Sequence, residues 1–209
     1  MSSKRAAASS TCPSYTIINT RGTGEAQGES AGFRTMNSQI TSLLSGGKIY
    51  NTVYPAGLDQ NSASGTQDII NQISTTLSSS PDECFILQGY SQGAAATVNA
   101  LPSLTGASFD AVKGVFLIGD PDHKSGLACN IDSSGGTTTK DVNGLSAALS
   151  DGIPDEWISK TSDVCAFGDG VCDTTHGAGI NAQHLSYIGD VSTQELGASF
   201  ALKKLGSSS

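Results

Sequence analysis

The chain has 209 residues, of which 37% are hydrophobic and 14% are charged, and its formal net charge is −8. That length accommodates one domain with a sizeable core. The acidic balance, with no basic stripe, argues against nucleic acid as a partner, and no apolar run approaches the roughly 18 residues that a membrane span needs. The serine-, threonine- and glycine-rich composition is typical of a secreted protein.

The first eleven residues, MSSKRAAASST, are set apart from the predicted fold. They contain no apolar core of the signal-peptide kind. The pair Lys4-Arg5 fits a dibasic processing site with a mature chain beginning near Ala6, and it fits an expression leader equally well. We therefore predict a leader or processed segment over residues 1–11 and a single domain over residues 12–209.

Strand-like and helix-like patterns alternate along the rest of the chain. Short apolar runs predict five strands, at residues 15–19, 49–54, 84–88, 112–118 and 163–167. Apolar residues at helical spacing predict helices at residues 33–44, 65–77 and 193–205, and an alanine-rich run predicts one at residues 93–101. This alternation favours a parallel α/β sheet with helices on both faces. Residues 119–162 are rich in Gly, Ser and Asp and show the least regular pattern.

Five cysteines, at positions 12, 84, 129, 165 and 172, allow two disulfides and one free thiol in about 15 ways. Cys165 and Cys172 flank a short loop, CAFGDGVC, which we expect a disulfide to close, since C-x6-C is a poor zinc spacing. Pairing Cys12 with Cys84 would anchor the N-terminus to a later strand. Cys129 is then left as a buried, inert thiol. Two disulfides indicate an oxidising, extracellular setting.

A G-x-S-x-G motif, in GYSQG, lies between a buried-type strand and a helix. In a glycine-rich chain the motif alone is weak, but its context is that of a nucleophile on a sharp strand-to-helix turn. Gly89 and Gly93 would let the chain turn without side-chain clashes. The turn would expose Ser91 and direct the backbone N–H of Gln92 at a developing negative charge.

A serine nucleophile needs a histidine base and a carboxylate that orients the histidine. In hydrolases with this turn the chain order is Ser, then acid, then His. Asp169 lies in a loop after the last predicted strand, as the acid should, and Asp173 and Asp163 are its rivals. Because His123 precedes them, two histidines, at positions 176 and 184, remain as candidates for the base.

The second oxyanion donor is expected in the loop after the first strand, which reads TRGTGEAQGE. Thr23 offers both a backbone N–H and a hydroxyl there. Taken by itself, RGTG is equally well explained as a glycine-rich turn.

Five motifs in order, namely CP, NTRGTGE, GYSQGAAAT, CAFGDGVC and NAQHLSY, resemble those of the cutinase family. The resemblance covers nearly the whole chain from Cys12, and it looks strongest to the cutinase-like esterases of basidiomycete yeasts. It implies a three-layer α/β hydrolase with a five-stranded parallel sheet. No separate amphipathic segment suggests a lid.

The resemblance also implies roles for individual residues. Ser91 would be the nucleophile, Asp169 the orienting acid and His184 the base, because His184 carries the family's H-L-x-Y context. Thr23 and Gln92 would be the oxyanion donors.

Further residues are implied by the same resemblance. Asn61 would support the Thr23 donor, and an apolar acyl groove would be lined by Tyr90, Ile180 and Leu185. The disulfides would be Cys12–Cys84 and Cys165–Cys172. Residues 119–162 depart most from the better-known fungal cutinases, so they leave substrate preference least defined.

The predicted function is that of a secreted, monomeric serine esterase without metal or cofactor. Its substrates would be cutin-like and synthetic aliphatic polyesters and short- to medium-chain acyl esters, met at an interface. The rate should fall in acid, where an imidazole base is protonated. An acetylxylan-type carbohydrate esterase is the nearest alternative, and a non-catalytic lipid- or polymer-binding protein is a second.

Overall fold

The computed structural model describes residues 12–206, so the predicted leader over residues 1–11 lies outside the described part of the chain. The strands there are β1 (Tyr15–Thr20), β2 (Gly47–Asn51), β3 (Cys84–Tyr90), β4 (Val112–Ile118), β5 (Asn130–Ile131) and β6 (Thr161–Val164). The α-helices are α1 (Arg34–Leu43), α2 (Ala63–Ser79), α3 (Gln92–Ala100), α4 (Ala107–Ala111), α5 (Asp155–Ile158) and α6 (Val191–Lys204).

All the strands pair in parallel, in the order β2-β1-β3-β4-β6-β5. The predicted class, an α/β hydrolase with a parallel sheet flanked by helices, is therefore confirmed. The predicted count of five strands is wrong, because β5 adds a sixth at the edge beside β6. A two-residue strand inside the irregular segment 119–162 has no hydrophobic run of its own, so the sequence pattern could not reveal it.

Helices cover both faces of the sheet, which explains why β1 and β3 are buried along their whole length. One face packs against α2 and α3, and the other packs against α1 and α6. The helical side chains in these two cores include Ile69, Ile73, Ala94 and Val98 on the first face and Met36, Ile40, Ala198 and Ala201 on the second. In contrast, β2 is only partly buried because it forms the other edge.

Both predicted disulfides are present, between Cys12 and Cys84 and between Cys165 and Cys172, with Cα–Cα distances of 5.9 and 5.8 Å. The second closes the loop that follows β6. Cys129 is a buried free thiol, and burial raises its pKa to about 12, which keeps it protonated and unreactive. Among residues 12–206, no helix has the length and apolar character of a membrane span.

The carboxyl ends of β1, β3, β4 and β6 lie at one edge of the sheet, since these strands are parallel neighbours. The loop with Thr23 follows β1, Ser91 follows β3, Gly119 follows β4, and the disulfide loop follows β6. Ligand sites of open α/β sheets form at this edge. The topology thus collects the predicted site residues there.

Candidate active site

Ser91 lies on a strained turn between β3 and α3, with φ of +55° and ψ of −120°. A non-glycine residue rarely adopts such a backbone conformation. The two flanking glycines make it feasible. A Cβ at Gly93 would overlap the carbonyl oxygen of Thr20, and one at Gly89 would lie 2.6 Å from the Cα of Ala94. The motif therefore reflects a backbone requirement as well as a chemical one.

Ser91, His184 and Asp169 form a continuous hydrogen-bonded chain. The Oγ of Ser91 is 2.9 Å from Nε2 of His184, and Nδ1 of His184 is 2.9 and 3.0 Å from the two carboxylate oxygens of Asp169. Asp169 is fully buried, His184 is 2% exposed and Ser91 is 7% exposed. Only the serine end of this chain of contacts approaches solvent, as an attacking hydroxyl requires.

Three hydrogen bonds besides those of His184 hold the disulfide loop and the Asp169 carboxylate in place. The backbone N–H of Val171 donates to Oδ1 of Asp169 at 2.9 Å, and the hydroxyl of Tyr187 donates to Oδ2 at 2.6 Å. The same hydroxyl accepts from the N–H of Ala166 at 2.9 Å. Burial, followed by the Asp169 charge, raises the pKa of Tyr187 well above its usual range, so it stays a donor. We did not predict Tyr187, although the H-L-x-Y motif contains it.

Contacts on three sides hold His184. Its backbone carbonyl accepts from the hydroxyl of Tyr90 at 2.8 Å, and its N–H donates to Oδ1 of Asn181 at 3.0 Å. Gly119, with φ of +60°, lies against the ring, and a Cβ there would be 2.8 Å from Cε1 of His184. The imidazole therefore has one defined place between its serine and its carboxylate.

The backbone amides of Thr23 and Gln92 fit the predicted oxyanion donors. Within residues 12–206 neither amide has a hydrogen-bond acceptor. The Thr23 loop is fixed on either side, since Glu25 accepts from the N–H of Gly22 at 2.7 Å and its own carbonyl accepts from Nε of Arg21 at 2.8 Å. A developing oxyanion needs donors whose hydrogens have no other acceptor.

Asn61 does not support Thr23, and that prediction is corrected. Its side-chain oxygen accepts from the N–H of Ala63 at the start of α2, at 3.2 Å. Gln60 instead accepts from the hydroxyl of Thr23 and from Nε2 of Gln92, both at 3.2 Å. Gln60 has φ of +58° and a side chain one methylene longer, which reaches both donors. Sequence alone gave no signal for this one-residue displacement.

The two other histidines each pair with one of the rival aspartates. Nδ1 of His123 is 2.6 Å from Oδ2 of Asp163, and Nδ1 of His176 is 2.9 Å from Oδ2 of Asp173. Nε2 of His123, the ring nitrogen that does not face the carboxylate, lies 3.1 Å from the carbonyl oxygen of Thr139. Neither pair includes a serine hydroxyl. Within the described residues no group of three or more His, Cys, Asp or Glu side chains is placed to hold a metal ion.

Two apolar pockets open beside Ser91. The larger, of about 370 Å³, includes Leu145 and Val171 in its lining, and the smaller, of about 130 Å³, includes Leu185. Ser91 and Ile180 line both pockets. Of the predicted groove residues, Tyr90 and Leu185 line the smaller pocket. Leu145 comes from the irregular segment 119–162 and was missed, because no periodicity marks a loop residue as lining a cavity.

Comparison with known proteins identifies the family of the chain. The family profile described as Cutinase matches residues 11–205. The solved structure of a novel cutinase-like protein from Cryptococcus sp. is 67% identical, covers 97% of this chain and 100% of its own, and superposes with a TM-score of 0.94. Carboxylesterase Culp1 of Mycobacterium tuberculosis is 30% identical over 205 residues, which are 96% of this chain and 86% of Culp1. The acetyl xylan esterase core of Trichoderma reesei shares the fold, with a TM-score of 0.74 at 24% identity, over 92% of this chain and 99% of its own.

The fold and these relatives define a carboxylic ester hydrolase of the α/β hydrolase type. Within that class, the chain belongs to the cutinase family. A purely non-catalytic binding protein is therefore set aside.

Proposed function

We propose that this protein is a secreted serine esterase that hydrolyses aliphatic polyesters and short- to medium-chain acyl esters through Ser91, His184 and Asp169. The observation that carries the proposal is the unbroken hydrogen-bonded chain from the Ser91 hydroxyl through the His184 ring to the buried Asp169 carboxylate. Serine, histidine and aspartate in this arrangement generate a nucleophile from an otherwise unreactive hydroxyl.

In the proposed mechanism, Oγ of Ser91 attacks the ester carbonyl carbon while Nε2 of His184 takes the hydroxyl proton. The carbonyl oxygen becomes an oxyanion and accepts from the N–H groups of Thr23 and Gln92. The bond to the leaving oxygen then breaks, and His184 returns the proton to that oxygen, which leaves as an alcohol. A water molecule repeats the sequence on the acyl-enzyme and releases the carboxylic acid. Asp169 orients the imidazole and stabilises its charged form throughout.

Apolar walls on both sides of Ser91 support aliphatic substrates. Ile180 and Leu185 at these walls are 61% and 54% exposed, so the site is an open cleft rather than an enclosed cavity. Such a cleft admits a segment of a longer polymer at a surface. The two disulfides support an extracellular location, and we take a monomer as the working state.

The test is hydrolysis of p-nitrophenyl esters from acetate to palmitate, followed by clearing of a polyester emulsion. Wild type is compared with Ser91→Ala. We expect activity that peaks at short to medium chains, clearing of the emulsion, and loss of both in the variant. Activity confined to acetate, with release of acetate from acetylated xylan, would instead identify a carbohydrate esterase. Equal rates in the two proteins would refute the assignment of Ser91.

A further inference from the structure

The two pockets meet at Ser91 and Ile180, and they differ in which residues of the proposed chemistry line them. Both residues line each of the two pockets. Thr23 and His184 line the smaller pocket and Gln92 lines the larger one, so the proposed base belongs to the smaller pocket alone. An ester has two arms, the acyl chain and the alcohol, which meet at the carbonyl carbon that Ser91 attacks. The two pockets therefore correspond in number and position to the two arms.

The position of His184 decides which arm enters which pocket. After Ser91 attacks, His184 must donate its proton to the oxygen of the departing alcohol, so that oxygen has to lie within hydrogen-bonding reach of Nε2. The alcohol arm consequently extends from the His184 side of Ser91, into the smaller pocket. The acyl arm stays bonded to Ser91 after the alcohol leaves, and it is directed to the opposite side, beside Gln92.

The sizes of the pockets give the two arms different limits. The larger pocket, of about 370 Å³, falls within the range of roughly 300–1,000 Å³ that holds a drug-sized ligand. Its apolar lining comes from Ala95 on α3, from Leu145 in the irregular segment and from Val171 in the disulfide loop. The smaller pocket, of about 130 Å³, lies well below that range, so it holds only the first few carbons of the alcohol arm, and a longer arm continues along the open cleft.

We infer that the larger pocket, with Ala95, Leu145 and Val171, selects the acyl chain, and that the smaller pocket, with Leu185 and Ile188, selects the alcohol. This inference rests on the proposed function of Ser91 and His184. It moves Leu185 from the predicted acyl groove to the alcohol side. The substrates it favours are esters of medium-chain acids with short, unbranched alcohols, including polymer segments built from short diols.

Two ester series separate the arms. One keeps the alcohol as ethanol and lengthens the acid from acetate to decanoate, and the other keeps the acid as acetate and lengthens the alcohol from methanol to hexanol. Ala95→Phe fills the larger pocket, and Ile188→Trp fills the smaller one. Leu145→Trp, at a residue that is 56% exposed, repeats the first test where folding is less at risk. Leu149→Phe is the control, since Leu149 is exposed and lines neither pocket.

In the wild type, kcat/KM should rise with the length of the acid into the medium range in the first series. In the second series it should stop rising once the alcohol exceeds a few carbons. Ala95→Phe and Leu145→Trp should lower the decanoate-to-acetate ratio about tenfold or more while the hexyl-to-methyl ratio stays constant, since misfitting methylenes in an apolar pocket cost that much. Ile188→Trp should do the reverse. Leu149→Phe should change neither ratio.

Other outcomes distinguish an error in the pocket assignment from an error in the proposed function. If the wild type hydrolyses both series but the variants alter the opposite ratios, or both ratios equally, the assignment of the pockets is wrong while the esterase proposal stands. If the wild type and Ser91→Ala hydrolyse both series at equal rates, the proposed function itself fails. Counting reactive serines with a p-nitrophenyl alkylphosphonate, which releases one p-nitrophenolate for each, corrects every rate for inactive protein.

Discussion

The His184–Asp169 pair and the His123–Asp163 pair are built from the same side chains and are equally removed from solvent. In each, Nδ1 faces a carboxylate, at 2.9 Å in the first pair and 2.6 Å in the second. The two pairs differ in the partner of Nε2, the ring nitrogen that does not face the carboxylate. Nε2 of His184 faces the hydroxyl of Ser91, whereas Nε2 of His123 faces the carbonyl oxygen of Thr139.

That difference determines what each imidazole can do. A carbonyl and a carboxylate both only accept, so His123 fills both contacts only as a doubly protonated cation. Burial alone would lower the pKa of His123, but the Asp163 carboxylate raises it above its usual value. Both the contacts and the direction of the pKa shift thus favour a protonated ring paired with Asp163 over a neutral base. A hydroxyl can donate, so His184 is able to accept the proton of Ser91. The partner of Nε2 thus distinguishes His184, the proposed base, from His123 in its structural ion pair.

The largest expected effect is on catalysis at His184. In His184→Ala, kcat/KM should fall by about 10⁴–10⁶-fold, because no base remains for Ser91. The matched control is His176→Ala, which removes a histidine whose ring is also paired with an aspartate but makes no hydrogen bond to Ser91 within the described residues. The kcat/KM of that control should stay near wild type on p-nitrophenyl butyrate. A similar loss in both variants would refute the selection of His184.

The second effect is on stability at His123. His123→Leu leaves the Asp163 carboxylate buried without its cation, which should lower the free energy of unfolding by about 3–5 kcal/mol. Urea unfolding measures it. Removing the charge as well, in His123→Leu/Asp163→Leu, should recover most of the loss, since an apolar pair has no unpaired ion to bury. If the double variant is no more stable than the single, the ion-pair interpretation of His123 is wrong.

The fold class could be predicted because it rests on strong local patterns. The apolar runs of β3 and β4 and the alanine-rich α3 are visible in any window of the chain. β5 could not be predicted, since two residues, Asn130 and Ile131, carry no pattern and pair only because β6 lies beside them. Similarly, β6 was predicted to continue to residue 167, but it ends at Val164, where the chain leaves the sheet for the disulfide loop.

For the site, sequence motifs predicted Ser91, His184 and Asp169, but motifs do not show which other side chains contact these residues. The role expected of Asn61 belongs by geometry to Gln60, because the backbone turn at φ +58° directs the longer side chain toward Thr23. Tyr187 was visible in the motif NAQHLSY, yet its contact with Asp169 depends on the packing of the loop after β6.

Separate substitutions of Gln60 and Asn61 test whether Gln60, rather than Asn61, supports Thr23. Gln60→Ala should lower kcat about tenfold with little change in KM, because the acceptor that holds Thr23 and Gln92 is lost and transition-state stabilisation weakens. Gln60→Glu keeps an acceptor oxygen but adds a negative charge beside the developing oxyanion, so it should not recover the wild-type rate. Asn61→Ala should change kcat less than about twofold and cost about 1 kcal/mol of stability through loss of the contact at the start of α2. The reverse ranking of the two alanine variants would support Asn61 instead.

The smallest effect concerns the pH dependence of stability near His123. Burial, reinforced by repulsion from Asp163 and Asp122, raises the pKa of Asp120 well above its usual value. A carboxyl whose pKa is raised in the folded state stabilises the fold below the unfolded value, about 3.9, and loses that contribution as the pH rises through the folded value. Asp120→Asn removes this titration.

The unfolding free energy of the wild type should therefore fall more steeply with rising pH above about 4 than that of Asp120→Asn. Urea unfolding series from pH 4 to 8 measure the two slopes. Parallel slopes would show that Asp120 ionises normally.

The most direct measurement is the reaction of the protein with a p-nitrophenyl alkylphosphonate, followed by p-nitrophenolate release and peptide mapping of the adduct. We predict one equivalent released, one adduct, on Ser91, and a reaction rate that collapses in His184→Ala but persists in His176→Ala. An adduct on another residue, or labelling of His184→Ala at the wild-type rate, would contradict the assignment of Ser91 and His184 as nucleophile and base.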